Sequence, residues 1–161
     1  MRRLAILLLT LTLLTACASP PDRPTQLRQA LLGLGEDASR LLMEEPAWEL
    51  EAREIVLLLS STEVDSALPI GAERFAESLT RALLAYPDGP QVIDWQPQTG
   101  QAATPAGQWL LDARLAADGP ELRLSDRALL PYRLELGLRR PGDARPRWER
   151  TLSGAFDADA L

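Results

Sequence analysis

Apolar and polar residues alternate along this chain with periods that change from one stretch to the next. Leu27, Leu31, Leu34, Ala38 and Leu41 recur at steps of four and three, which places one apolar stripe on a helix over residues 25–46. Thr25 is placed to cap its start and Pro46 to end it. Gly33 and Gly35 each cost about 1 kcal/mol relative to alanine, so the helix is expected to break there into two shorter pieces. Ile55-Val56-Leu57-Leu58-Leu59 is continuously apolar and ended by Ser60-Ser61-Thr62, the pattern of a central strand buried on both faces. Ala72, Phe75, Leu79, Ala82 and Leu83 form a second helical stripe, with Glu77 and Arg81 as an outward i, i+4 pair. Pro87-Asp88-Gly89-Pro90 stops it, and Gln91-Val92-Ile93-Asp94-Trp95 reads as another strand.

The carboxyl-terminal half changes to a period of two. Trp109, Leu111, Ala113 and Leu115 alternate with more polar neighbours, a turn follows at Asp118-Gly119-Pro120, and Leu122 and Leu124 continue the alternation. Tyr132, Leu134, Leu136 and Leu138 alternate with Arg133, Glu135 and Arg139, and the chain returns across Pro141-Gly142-Asp143 into residues 148–156. That pattern predicts an antiparallel hairpin. The succession predicts one α+β domain over residues 54–156, a mostly antiparallel sheet of about four to five strands with packed helices. The segment 25–46 is expected to dock on it.

The amino terminus follows a different logic. Met1-Arg2-Arg3, an apolar run over residues 4–14, and Leu14-Thr15-Ala16-Cys17 form a bacterial lipobox. An apolar core of about a dozen residues suits a secretory signal, whereas a spanning helix needs roughly 20. Cys17 is the expected site of lipidation. Residues 18–24 hold three prolines and little to bury, and form a tether of at most about 25 Å. Removing the 17-residue leader from the 161-residue chain leaves 144 residues, enough for one domain with a real core.

Composition excludes several kinds of chemistry. The chain has no histidine, no lysine and one cysteine, Cys17. Histidine-dependent triads, Schiff bases, a P-loop lysine and thiolate metal sites are therefore absent, and no cofactor or metal is expected. Without Arg2 and Arg3, 15 arginines face 23 acids, a net charge of −8 against −6 for the whole chain. Such an acidic surface disfavours nucleic acid.

Three sets of residues are candidates for function. Six arginines, Arg133, Arg139, Arg140, Arg145, Arg147 and Arg150, stand against three acids in residues 131–150. Arginine forks bind carboxylates bidentately, so Arg139, Arg140 and Arg145 are expected to dock an acidic partner surface or lipid head groups, or else to form a solvated hairpin. Trp95, at a strand end beside a flexible loop, is a candidate interface anchor, while Trp109 and Trp148 fit the core and Trp48 fits a lock between helix and domain. Asp65, Asp94 and Asp112, near predicted strand ends, are the acids from which a carboxylate-dependent cell-wall hydrolase would draw its pair. Asp157-Ala158-Asp159 reads as an acidic tail rather than a calcium loop.

The strand at Ile55 to Leu59 with its polar Ser60-Ser61-Thr62, the helix from Glu73 to Leu83, the strand Val92-Ile93-Asp94 and the closing hairpin together resemble the penicillin-binding-protein activator LpoB family. The resemblance covers roughly residues 54–156 and implies a fold like the TolB amino-terminal domain. It implies a non-enzymatic outer-membrane lipoprotein, facing the periplasm, that binds a bifunctional peptidoglycan synthase and stimulates it. The family shows Asn-x-Thr where this chain has Ser60-Ser61-Thr62. FlgO-type lipoproteins of flagellar or other envelope assembly share a similar domain and are the alternative. Ala18 and Ser19, with no aspartate after Cys17, resemble the pattern of lipoproteins forwarded to the outer membrane.

Overall fold

The computed structural model describes residues 23–94 and 106–161. The leader, Cys17, residues 18–22, Trp95 and the rest of the segment 95–105 lie outside the described residues.

Helix α1 (Arg23–Glu44) begins two residues before Thr25 and runs unbroken through Gly33 and Gly35. A proline is tolerated in the first helical turn because its missing N–H has no intrahelical acceptor there. Leu27, Leu31, Leu34, Ala38 and Leu42 are buried, so the stripe ends on Leu42 rather than Leu41. Helix α2 (Ala72–Ala85) buries Phe75, Ser78, Leu79, Ala82 and Leu83. Gly35 is where the two helices approach: a Cβ there would stand 2.8 Å from Ala82 Cβ and 3.1 Å from the Ser78 carbonyl oxygen. Tertiary contact overrides helix propensity at this position.

The sheet has six strands: β1 (Val56–Val64), β2 (Gln91–Asp94), β3 (Gln108–Ala117), β4 (Leu122–Arg123), β5 (Ala128–Arg139) and β6 (Trp148–Asp157). They run β2-β1-β3-β5, with β6 along the free side of β5 and β4 beside its first residues. Strand β1 is parallel to both β2 and β3, whereas β3, β4 and β6 pair antiparallel with β5. The fold is α+β, and its sheet is mixed rather than mostly antiparallel. Apolar alternation reports which residues face the core but is the same for either direction of a neighbour; the β1-α2-β2 crossover returns the chain in the same sense.

Strand β1 also extends beyond its expected end, through Ser60-Ser61-Thr62 to Val64. Beyond Leu59 it continues beside β3, paired from Ser61 to Val64. The ladder of hydrogen bonds therefore runs through the polar residues. A register shift between Leu59 and Ser61 inserts one extra residue. Leu122 and Leu124 are another departure, both half-exposed rather than inward-facing. Among the described residues strand β4 pairs only with Ala128 and Leu129 of β5.

Both helices cover one face of the sheet. Leu57 and Leu59 from β1, Trp109, Leu111, Ala113 and Leu115 from β3, Leu134, Leu136 and Leu138 from β5, and Trp148 and Phe156 from β6 meet the α1 and α2 stripes in one core. Trp48 packs edge-on against Trp109, ring centroids 6.3 Å apart. The opposite face carries the alternate residues, with Asp112 opposite Gly137 and Arg114 opposite Glu135.

Candidate functional site

The face of the sheet opposite the two helices holds a groove of about 450 Å³ bounded by Ser61, Asp112, Arg114, Glu135, Glu149 and Thr151. Its back wall follows from the irregularity in β1. Strand side chains normally alternate faces, but an extra residue in a bulge lets neighbours turn the same way. Ser60 and Ser61 accordingly both reach the residues around Asp112. Arg139 donates from Nε to Asp112 Oδ2 at 2.8 Å and from a terminal nitrogen to Ser60 Oγ at 2.9 Å, while Ser61 Oγ donates to Asp112 Oδ1 at 3.1 Å. This ties three strands together.

Along the groove the charges alternate across strands. Arg114 stands 3.9 Å from Glu63 and 3.8 Å from Glu135, and Arg133 reaches Glu135 at 3.1 Å and Asp118 at 3.2 Å. These pairs are largely solvated and each is worth about 1 kcal/mol at most.

The basic hairpin is mostly occupied by its own protein. Arg139 is held as above. Arg140 donates to the Ala106 and Gln108 carbonyl oxygens and lies 4.1 Å over the Trp109 ring; burial, and then the nearby Arg147, lower its pKa below the usual guanidinium value. Arg147 pairs with Asp143 at 2.7 Å, and Arg150 reaches back to Glu45 just after α1 at 2.5 Å. Arg145 alone of the six stands exposed with no ion pair or hydrogen bond among the described residues. Trp109 and Trp148 lie in the core, and their indole N–H groups have no hydrogen-bond partner in the structure.

The three aspartates lie on three different segments. Asp65 follows β1 and accepts the Ala67 N–H at 2.9 Å, Asp112 is held by Arg139 on β3, and Asp94 ends β2 on the far side of β1. Asp157 accepts the Asp159 N–H at 3.0 Å and caps a final 3-10 turn (Ala158–Ala160). Among the described residues no group of three or more potential ligands is placed to hold a metal ion, and no helix is long and apolar enough to cross a membrane.

Strand β6 forms one margin of the groove and, among the described residues, pairs only with β5. Its outer edge is a feature that sequence reading did not single out, because a hairpin pattern does not say which strand ends the sheet. The Ser-Ser doublet inside an otherwise apolar strand was the available signal for the bulge.

These features define an α+β domain with a two-helix layer on one face of a mixed six-stranded sheet and a charged groove on the other. No protein-family model matches the sequence, and no curated protein does. Among solved structures, the chain is similar to the crystal structure of protein XCC0632 from Xanthomonas campestris, described as DUF330. The two share 12% identity over 70% of this chain and 71% of that one, with a TM-score of 0.39, too slight a likeness to carry an argument.

Proposed function

We propose that this chain is a lipid-anchored accessory protein of the outer membrane that acts by binding another envelope protein, in the first instance a bifunctional penicillin-binding protein, through strand addition at β6. The edge of β6 is the observation that carries this reading. A ten-residue edge strand presents a row of unpaired backbone donors and acceptors, and proteins usually protect such edges with lysine, proline, a bulge or a covering loop. Thr151-Leu152-Ser153-Gly154-Ala155 has no charge and no proline, and its register with β5 is uninterrupted.

An extended segment of the partner is the occupant that fits. The groove beside β6 is lined by Glu63, Asp112, Glu135 and Glu149 against Arg114 and Arg150, which favours a basic segment. Binding rather than chemistry is further supported by Asp65 and Asp112, both of which already hold structural partners. Anchoring rests on the Cys17 lipobox.

The test uses the full chain in non-ionic detergent with a purified bifunctional penicillin-binding protein, measuring binding and glycan polymerisation. Saturable binding and a raised polymerisation rate are expected. Leu152→Pro and Ser153→Pro separate the edge from the fold, because adjacent residues send their N–H groups to opposite sides of a strand. The variant whose lost N–H faced solvent should still unfold cooperatively yet fail to bind, whereas Arg145→Glu should bind normally. No binding by the unaltered chain, or full binding by both folded proline variants, would overturn the reading.

A further inference from the structure

The chain has 17 basic residues, all of them arginine. Wherever the side chain is described, nearly every one is engaged. Arg40, Arg53, Arg81, Arg114, Arg123, Arg127, Arg133, Arg139, Arg147 and Arg150 are in ion pairs, and Arg140 is held by backbone carbonyls. Among the arginines whose side chains are described, only Arg28, Arg74 and Arg145 have neither. In an acidic protein, where carboxylates outnumber guanidiniums, an unpaired arginine is the exception.

Two of the three exceptions converge. Arg28 from α1 and Arg74 from α2 line one pocket of about 290 Å³ with Arg81, Glu77 and Ser78. The helices run in the same sense: Arg28 lies by residues 74–81, Gly35 against Ser78 and Ala82, and Ser39 beside Ala82 and Tyr86. Residues of both helices therefore border the pocket. Arg81 is paired with Glu77 at 2.6 Å, so the pocket lining carries a net charge of two positive.

Ser78 supplies a second, independent observation. It is only 8% exposed, one of two buried polar residues in the described core. The other, Ser39, donates back to the Gly35 carbonyl oxygen at 2.8 Å, the ordinary way for a helical serine to satisfy itself. Ser78 makes no such bond, nor any other among the described residues, and its side chain belongs to the pocket lining. Its Oγ is not among the fully buried unpaired atoms of the described residues, so the hydroxyl opens onto the pocket, where a ligand can reach it.

We infer that the pocket between the helices is an anion site for a phosphate ester, bound by the Arg28 and Arg74 guanidinium groups with a hydrogen bond from Ser78. A phosphoryl group offers several tetrahedrally arranged acceptor oxygens, more than a planar carboxylate, and so suits donors arriving from two helices. The volume admits the phosphoryl group and a small organic moiety. The site lies on the opposite side of the helix layer from the sheet groove and does not depend on the partner, on β6 or on lipidation.

The chemistry is common to a free phosphorylated metabolite and a phospholipid head group, so calorimetry of the full chain in non-ionic detergent takes three ligands. These are inorganic phosphate, glycerol 1-phosphate and a water-soluble short-chain phosphatidylglycerol. Saturable binding is expected, weakened by about tenfold or more in the Arg28→Gln/Arg74→Gln double variant and by about threefold in Ser78→Ala, and unchanged in Arg145→Gln. Tighter binding of the monoester assigns a free metabolite, and tighter binding of the short-chain lipid assigns a head group. Circular dichroism checks folding, and should the double variant unfold, Arg74→Gln and Ser78→Ala decide. The inference fails if none of the ligands binds the unaltered chain, if Arg145→Gln weakens binding as much as the pocket variants, or if those variants bind normally.

Discussion

Gly33 and Gly35, two residues apart in one helix, answer to opposite constraints. Nothing lies within 4 Å of where a Gly33 Cβ would be, whereas a Gly35 Cβ would meet Ala82 at 2.8 Å. Gly33→Ala should therefore stabilise the fold by about 0.5–1 kcal/mol, through helix propensity and a less flexible unfolded chain. Gly35→Ala should destabilise it by about 1–3 kcal/mol by forcing the helices apart. Urea denaturation of the two variants gives the signs directly, and a shared sign would refute the account. Tyr132 makes a different kind of prediction. Its ring stacks on Phe156 at 4.3 Å, and burial, then the negative charge of Asp37, push its phenol above the ordinary 10.0. The folded state thus holds the proton more tightly than the unfolded state. The resulting stability is fully present below pH 10 and is lost as pH rises through the higher folded value. Because the chain lacks lysine and has only two tyrosines, few other groups obscure that window. Tyr132→Phe should leave the neutral Tm nearly unchanged and flatten its alkaline fall; an equally steep fall would show that Tyr132 is not its source.

At the scale of elements, helix α1 is the instructive case. Its apolar stripe was legible from spacing alone, and Leu31, Ala38 and Leu42 are now seen to be at most 1% exposed inside the same core as the sheet. A segment lying outside the expected domain limits of 54–156 is thus part of the fold. Leu31→Ala and Leu42→Ala should each cost about 2–5 kcal/mol, read from chemical denaturation. A loss below about 1 kcal/mol would mean that the helix is only loosely docked and free to lengthen the tether. Strand β1 teaches the complementary lesson. Ser60 and Ser61 were readable as polar, but their place inside the strand depended on β3 continuing beside them. The candidate site was less legible still: Arg139 meets Asp112, 27 residues away, and Ser60, 79 residues away, and no local pattern announces either contact.

For the whole molecule, if Cys17 carries the proposed lipid anchor, the docked helix limits how far the domain reaches from the membrane. With α1 packed in the core, only residues 18–22 separate Cys17 from the fold, at most about 18 Å of extended chain. Under the proposed function, the partner must then come to the outer membrane, and β6 must meet it there. Several properties followed from the chain alone: the absence of histidine and lysine, the two helical stripes, and the alternating residues that enter the core. Each is either covalent or set by the 3.6- and 2-residue periods of a single element, so no second element is needed to read it. The direction of β2 beside β1, the continuation of β1 through its serines, the free edge of β6 and the identity of the unpaired arginines were decided only by tertiary structure. An apolar alternation is the same whichever way its neighbour runs, and an ion pair such as Arg150 with Glu45 joins residues 105 positions apart. Which charges remain available to a ligand or partner is known only once the fold has paired the rest.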